Sequence, residues 1–304
     1  MTFFLEPTLD PLSDILDTFR LNVEIIHNAQ YCGDWAIDTS GSGAVSFHLV
    51  THGKCFARSD CLNDVVELNK GDFIVFPHDS VHVLEGERNC QVALNSAVAS
   101  DYNEGFEADS VGLLCGYFQF ANPASNPLLS VLPSVMIKCA ESKAKTEPSL
   151  SLLELISNEA VERASGNQAA INRLTESLFI MLVREFIGES ETTQGIAAAL
   201  HDPRVSKVLS AMHQDFERSW KVEELASLAA MSRSAFAENF KTLLGETPLA
   251  YLAKLRMQKA WVWLAEDGES VFAVAQRTGY ESEASFSKAF KKVVGVSPGS
   301  LRKK

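Results

Sequence analysis

Two stretches near the end of the chain repeat one another in residue type and spacing. The first runs from Val222 through Leu225, Leu228, Met231, Ser232, Phe236, Phe240 and Lys241 to Gly245 and Pro248. The second runs from Val271 through Val274, Tyr280, Ser282, Phe286, Phe290 and Lys291 to Gly295 and Pro298. Each reads as a short apolar helix, a tight turn, a serine-capped second helix with two phenylalanines four apart, and then Lys, Gly and Pro. The apolar positions lock one helix on the other, which is helix-turn-helix architecture. The outer positions of the second helix are then free to read base edges in a major groove.

Other chemistry is thinly represented. No Gly-rich phosphate loop stands between a strand and a helix, and no GxSxG nucleophile elbow occurs. Six cysteines (Cys32, Cys55, Cys61, Cys90, Cys115, Cys139) form no CxxC pair, which reads as reduced thiols in a cytoplasmic protein. The opening MTFFLEPTLDP lacks a basic start, and no apolar run reaches the ~18 residues of a membrane span, so neither a signal peptide nor a membrane partner is expected.

Charge divides the chain. Its 304 residues carry a formal net charge of −12, which taken whole argues against nucleic acid. From His201 to Lys304, however, 16 Lys and Arg face 12 Asp and Glu, a net of +4, leaving −16 on the first 200 residues. A basic tail module with its own partner fits this asymmetry, and the acidic part would repel DNA and confine contact to one face.

The elements that must position these groups follow from periodicity. Ala44–Val50, Val65–Leu68, Phe73–Phe76, Val81–Leu84 and Gln91–Leu94 are short β-prone runs separated by turns, a spacing that predicts a β-sandwich or barrel. Leu150–Ala164 and Ala169–Ile187 have helical spacing, with Ile171, Leu174, Leu178, Met181, Leu182 and Phe186 on one stripe. That stripe suits a hairpin packed on the β-domain and, equally, a subunit interface. Gly188–Gly195 is polar and reads as a connector, and from Asp202 onward everything reads helical around one long helix, Pro248–Ala265.

The run Gly279-Tyr280-Glu281-Ser282 through Phe286-Ser287-Lys288-Ala289-Phe290-Lys291 to Gly295-Val296-Ser297-Pro298 resembles the signature of the AraC/XylS family of transcription regulators, and the resemblance covers about the last 100 residues. It implies that the first reading helix presents Ser234, Ala235, Ala237 and Glu238 to the groove, and the second Glu283, Ala284, Ser285, Ser287 and Lys288. Lys241, Arg256, Lys291, Lys292 and Arg302 are then candidates for phosphate contact. Two positions depart from the family. Glu238 stands where a long polar side chain such as Arg is common; a carboxylate there suits cytosine N4 and not guanine, unless it is only a solvated surface group. Ala230 stands where many relatives have Gly, so a left-handed turn there would be strained by roughly 1 kcal/mol.

The first half resembles the cupin-type ligand domains of a subgroup of the same family. Gly71 through Pro77 to His82 follows the pattern G(x)5PxG(x)2H, with Asp79 in place of the middle glycine; Phe47-His48, Gly53 and Leu114-Cys115-Gly116 agree in order, as do Asp10–Leu16 and Pro127–Pro133. A metal-bearing cupin needs His-x-His, a Glu and a later His. Here His48 and His82 remain, Val50 replaces the second histidine, and the Glu position falls on Lys54 or Cys55. The candidate pocket is therefore His48, Cys55 and His82: polar groups in a small-molecule pocket, structural histidines, or a partial set for zinc or a softer metal. No cofactor is expected.

Together these readings predict two domains: an N-terminal cupin-like β-roll with flanking helices over 1–187, its dimerisation helices beginning near 150, a connector at 188–200, and an all-α unit with two helix-turn-helix motifs over 201–304. The resemblance implies a cytoplasmic, sequence-specific regulator, an activator by the family's commoner habit. Its partners would be promoter DNA, RNA polymerase, a small-molecule effector and a second copy of itself. The rival readings are a metal-dependent cupin enzyme fused to a DNA-binding domain and a ligand-independent repressor.

Overall fold

The computed structural model describes residues 10–95, 99–100, 106–107, 109–121, 126–141, 147–162 and 164–301. The chain forms two compact units, a β-rich one from Leu21–Phe120 and Leu132–Gly188, and a helical one from Met1–Arg20, Ala121–Val131 and Glu189–Lys304. Among the described residues no helix is long and apolar enough to cross a membrane.

Among the described residues the β-rich unit has ten strands: β1 (Asn22–Tyr31), β2 (Ala36–Asp38), β3 (Val45–His52), β4 (Lys54–Ser59), β5 (Val66–Asn69), β6 (Phe73–Phe76), β7 (His82–Glu85), β8 (Ala99–Ser100), β9 (Val111–Gln119) and β10 (Met136–Lys138). One sheet runs β10-β6-β3-β9-β1-β8 and the other β2-β7-β4-β5, and the pairs are antiparallel. Val50, Ile74, Phe76, Leu113 and Cys115 of the first sheet meet Ile37, Cys55, Ala57, Leu68 and Leu84 of the second in one core. The opposite face of the first sheet is covered by helices α2 (Pro148–Glu162) and α3 (Asn167–Glu189), with the rings of Phe118 and Phe179 tilted against each other, centroids 4.5 Å apart. β3 is thus buried on both faces, although its sequence alternates Val45, Phe47 and Leu49 with Ser46 and His48.

Several expectations change in detail. Gln91–Leu94 is not a strand: Asn89 and Asn95 on either side take left-handed backbone, φ 59 and 58, which breaks extension. The buried stripe of α3 is Ile171, Thr175, Leu178, Phe179, Leu182, Val183 and Ile187, so Leu174, Met181 and Phe186 lie at its margin. The segment read as a connector at 188–200 is largely helical, because α3 runs to Glu189 and α4 (Gly195–His201) buries Ile196, Ala197 and Ala199.

The helical unit begins with α1 (Pro11–Phe19), capped by Asp10, whose carboxylate accepts from Ser13 N at 3.2 Å. A 3₁₀ turn at Leu129–Val131 lies against α4. Then follow α5 (Pro203–Gln214), α6 (Val222–Leu228), α7 (Arg233–Leu244), α8 (Pro248–Ala265), α9 (Val271–Arg277), α10 (Glu283–Val294) and α11 (Pro298–Leu301). α1 packs on α5 and α8, where Ile15 and Phe19 are fully buried. By packing, the N-terminal helix is part of the helical unit.

Candidate functional site

In the first repeat, α6 and α7 pack through Leu225, Ala226, Phe236 and Phe240, all essentially inaccessible. The turn is closed by Met231 N donating to Ala226 O at 3.0 Å, and Ala230 there has φ 51. Ser232 caps α7 by accepting from Ala235 N, and Gly245 ends it at φ 75. In the second repeat Tyr280 N donates to Ala275 O at 3.0 Å, Gly279 takes φ 76, Ser282 caps α10, and Gly295 ends it at φ 87. Phe286 and Phe290 close that core with Met257, Ala260, Leu264 and Val274. The two motifs are therefore the same device built twice, joined by α8, whose 18 residues span about 27 Å. Two reading helices can then lie about one DNA turn (~34 Å) apart.

The positions expected to read bases lie on the outer faces of α7 and α10. Ser234, Ala235 and Glu238 are exposed on α7 and Ala237 is half-buried; Glu283, Ala284, Ser285 and Lys288 are exposed on α10 and Ser287 is half-buried. The Ser285 hydroxyl is already used in the cap, donating to Ser282 O at 2.8 Å. Lys241, Lys291 and Lys292 are exposed at the C-terminal ends of the two helices, where cations also complement the helix dipole.

Arg256 is placed differently from the other cations. Its guanidinium donates to the carbonyls of Phe216, Glu217 and Arg218 at 2.8, 3.3 and 2.9 Å, fastening the stretch after α5 to the long helix. Its donors are turned inward, not toward a phosphate. Arg302 lies outside the described residues. Arg233, which the sequence did not single out, is exposed at the start of α7 and pairs with Glu223 at 3.0 Å. Asp202 caps α5 and also accepts from Asn239 Nδ2 of α7 at 3.2 Å; its hydrogen bond with Arg204 holds its carboxyl well below the usual range.

In the β-rich unit, His48 and His82 converge. Their Nε2 atoms are 3.0 Å apart, and Thr39 Oγ1 lies 3.3 and 3.0 Å from them. His82 Nδ1 donates to Ser80 O at 2.7 Å, so its Nε2 accepts; His48 then carries its proton on Nε2, and its buried Nδ1 has no hydrogen-bond partner. Burial pushes both rings below 6.5, His48 further, since at His82 the Ser80 carbonyl and the carboxylates of Asp38 and Asp79 partly offset it. Thr39 carries no signal in sequence; it reaches the pair from the end of β2. Asp79, at the motif's missing glycine, adopts φ 52, and its carboxylate accepts from Gly41 N and Gly43 N at 3.1 and 2.6 Å. The turn keeps its shape and gains a clamp on the preceding loop.

Cys55 is not beside the solvent or in an activating field. It sits fully buried in the apolar core, and burial pushes its thiol up to about 12, the behaviour of a packing group. Among the described residues no three His, Cys, Asp or Glu side chains are arranged to hold a metal. Two imidazoles and a threonine fall short of the protein ligand set that a resident zinc needs.

A cupin family model matches residues 10–188, and a helix-turn-helix domain model matches residues 225–304. Over 97% of the chain, and 99% of the relative, it is 29% identical to a Streptomyces antibioticus protein named, provisionally, as an AraC-like transcription regulator. The chain belongs to the AraC family of transcription regulators, in the branch with an N-terminal cupin domain. Another relative is the RCS-specific HTH-type transcriptional activator RclR of Escherichia coli, 27% identical over 97% of this chain and 98% of its own. ToxT of Vibrio cholerae, a solved structure, is 12% identical over 93% of this chain and 96% of its own, with a TM-score of 0.37. As an AraC-family member the chain is a DNA-binding transcription regulator, and the helix-turn-helix match takes in most of α6 together with α7, α9 and α10.

Proposed function

We propose that this regulator activates transcription at a promoter it grips through α7 and α10, in response to a small molecule sensed by the cupin domain. The observation that carries the reading is the pair of equivalent exposed helix faces, each ending in lysines, joined by one continuous helix. Lys241, Lys291 and Lys292 would neutralise phosphates, and the reading positions named above would supply sequence preference. The Thr39–His48–His82 cluster offers an effector a buried lone pair at His48 Nδ1. Exposed Leu155 and Ile180 on α2 and α3 would support pairing with a second copy, and RNA polymerase would be met on DNA. Its place of action would be the cytoplasm.

The test is a footprint of the full chain on the promoter region beside its own gene, followed by a reporter driven from that site. Protection limited to successive turns, with reporter output rising when the protein is supplied, is expected; uniform coverage of the fragment contradicts the reading. Replacing both His48 and His82 by Gln should abolish the response to effector while leaving the footprint intact.

A further inference from the structure

The two reading helices are built alike, yet their charges are exchanged. Each is 12 residues long, begins after a capping serine and ends at a left-handed glycine, so the phenylalanines fix an unambiguous register. In that register the first residue is Arg233 in α7 and Glu283 in α10, and the sixth is Glu238 in α7 and Lys288 in α10. All four are exposed. The sixth residue lies on the exposed face in the second turn, about 1.7 turns beyond the cap and still in the N-terminal half of the helix, the half that meets base edges in the groove. Among the described residues neither Glu238 nor Lys288 forms an ion pair.

We infer that the two helices read half-sites of opposite hydrogen-bonding polarity, with cytosine facing Glu238 and guanine facing Lys288. The inference rests on the DNA-reading proposed above. A carboxylate only accepts, and among major-groove groups only cytosine N4 and adenine N6 donate. Adenine sets its N7 acceptor beside N6, which repels the second carboxylate oxygen, so cytosine is favoured. An ammonium only donates, and guanine offers O6 and N7 side by side, whereas adenine places a donor next to N7. An operator made of two copies of one half-site therefore satisfies one helix and opposes the other. The operator is directional, and Glu238 also acts against wrong sites, because phosphates repel it wherever no donor compensates.

The experiment is selection by the full chain from randomised duplexes, followed by competition with single-base variants for the wild type, Glu238→Gln and Lys288→Gln. Both replacements are at exposed positions and keep the fold. The expected consensus has cytosine and guanine at equivalent places about one turn apart. Changing that C·G pair to A·T should lower wild-type affinity about 5- to 30-fold. With Glu238→Gln the preference should turn to adenine while affinity for random duplex rises several-fold, since a negative charge has left the groove. The inference is overturned if the two positions select the same base, or if Glu238→Gln keeps the cytosine preference. A wild type that selects no sequence at all overturns the DNA-reading itself.

Discussion

Ala230 and Gly279 occupy the same turn position in the two repeats, with φ 51 and 76, but only one of them is a glycine. Ala230→Gly removes a left-handed strain of roughly 1 kcal/mol and should raise the denaturation midpoint. Gly279→Ala should lower it by about 1–2 kcal/mol, because the new Cβ would also stand 3.3 Å from Glu217 O. Opposite signs at equivalent positions are the check; equal signs would contradict the repeat. His213 supplies a second residue-level expectation. Tyr251 OH lies 2.8 Å from its Nε2, Thr18 Oγ1 lies 3.3 Å from its Nδ1, and burial with Lys259 nearby pushes it down to about 3 from 6.5. Unfolded chain binds a proton near 6.5 and folded chain does not, so stability is complete above that pH and declines as pH falls towards 3. The slope is about 1.4 kcal/mol per pH unit for each such histidine, and His48 and His82 act in the same direction. Urea midpoints at pH 7.5 and 5.5 should differ accordingly, and His213→Gln should remove its own share.

At the scale of elements, the helix-turn-helix pairs were legible because their cores are local: Phe236 with Phe240 and Phe286 with Phe290 announce both the helix and its buried face. The role of Arg256 was not, since its three carbonyl partners lie about 40 residues away in sequence and a long basic side chain looks alike on a phosphate or a cap. Thr39 was hidden for the same reason, its histidines arriving from two other strands. The N-terminal helix α1 was the largest surprise. Its apolar residues Ile15 and Phe19 bury against the DNA-binding helices, and Arg20 donates to Asp267 at 2.8 and 2.9 Å and to Glu266 at 3.1 Å. Phe19→Ala should destabilise the helical unit by about 3–5 kcal/mol and weaken DNA binding with it. Unchanged stability in a denaturation series would show that α1 is not part of that unit. Arg20→Ala, which removes the exposed ion pairs with Asp267 and Glu266, should cost less than about 1 kcal/mol.

For the whole molecule, the charge split of +4 on the last 104 residues against −16 on the first 200 places the attraction for DNA in the segment from His201 onward, while the residues that join it in the helical unit, 10–20 and 189–200, are acidic. The boundary of that unit is not the one a linear reading draws, because residues from the start of the chain and from Ala121–Val131 complete it. Tests of DNA binding therefore belong to the full chain. The most direct of them measures its affinity for its own promoter and for random duplex across a series of salt concentrations. Affinity for the promoter should exceed that for random duplex by about 10³-fold or more. Both should fall with salt, and replacing Lys241, Lys291 and Lys292 together by Ala should flatten the log–log slope by about 2.7, or 0.9 per lost phosphate contact. Equal affinity for the two duplexes, or a slope untouched by the triple replacement, would contradict the assignment of α7 and α10 as the elements that grip and read DNA.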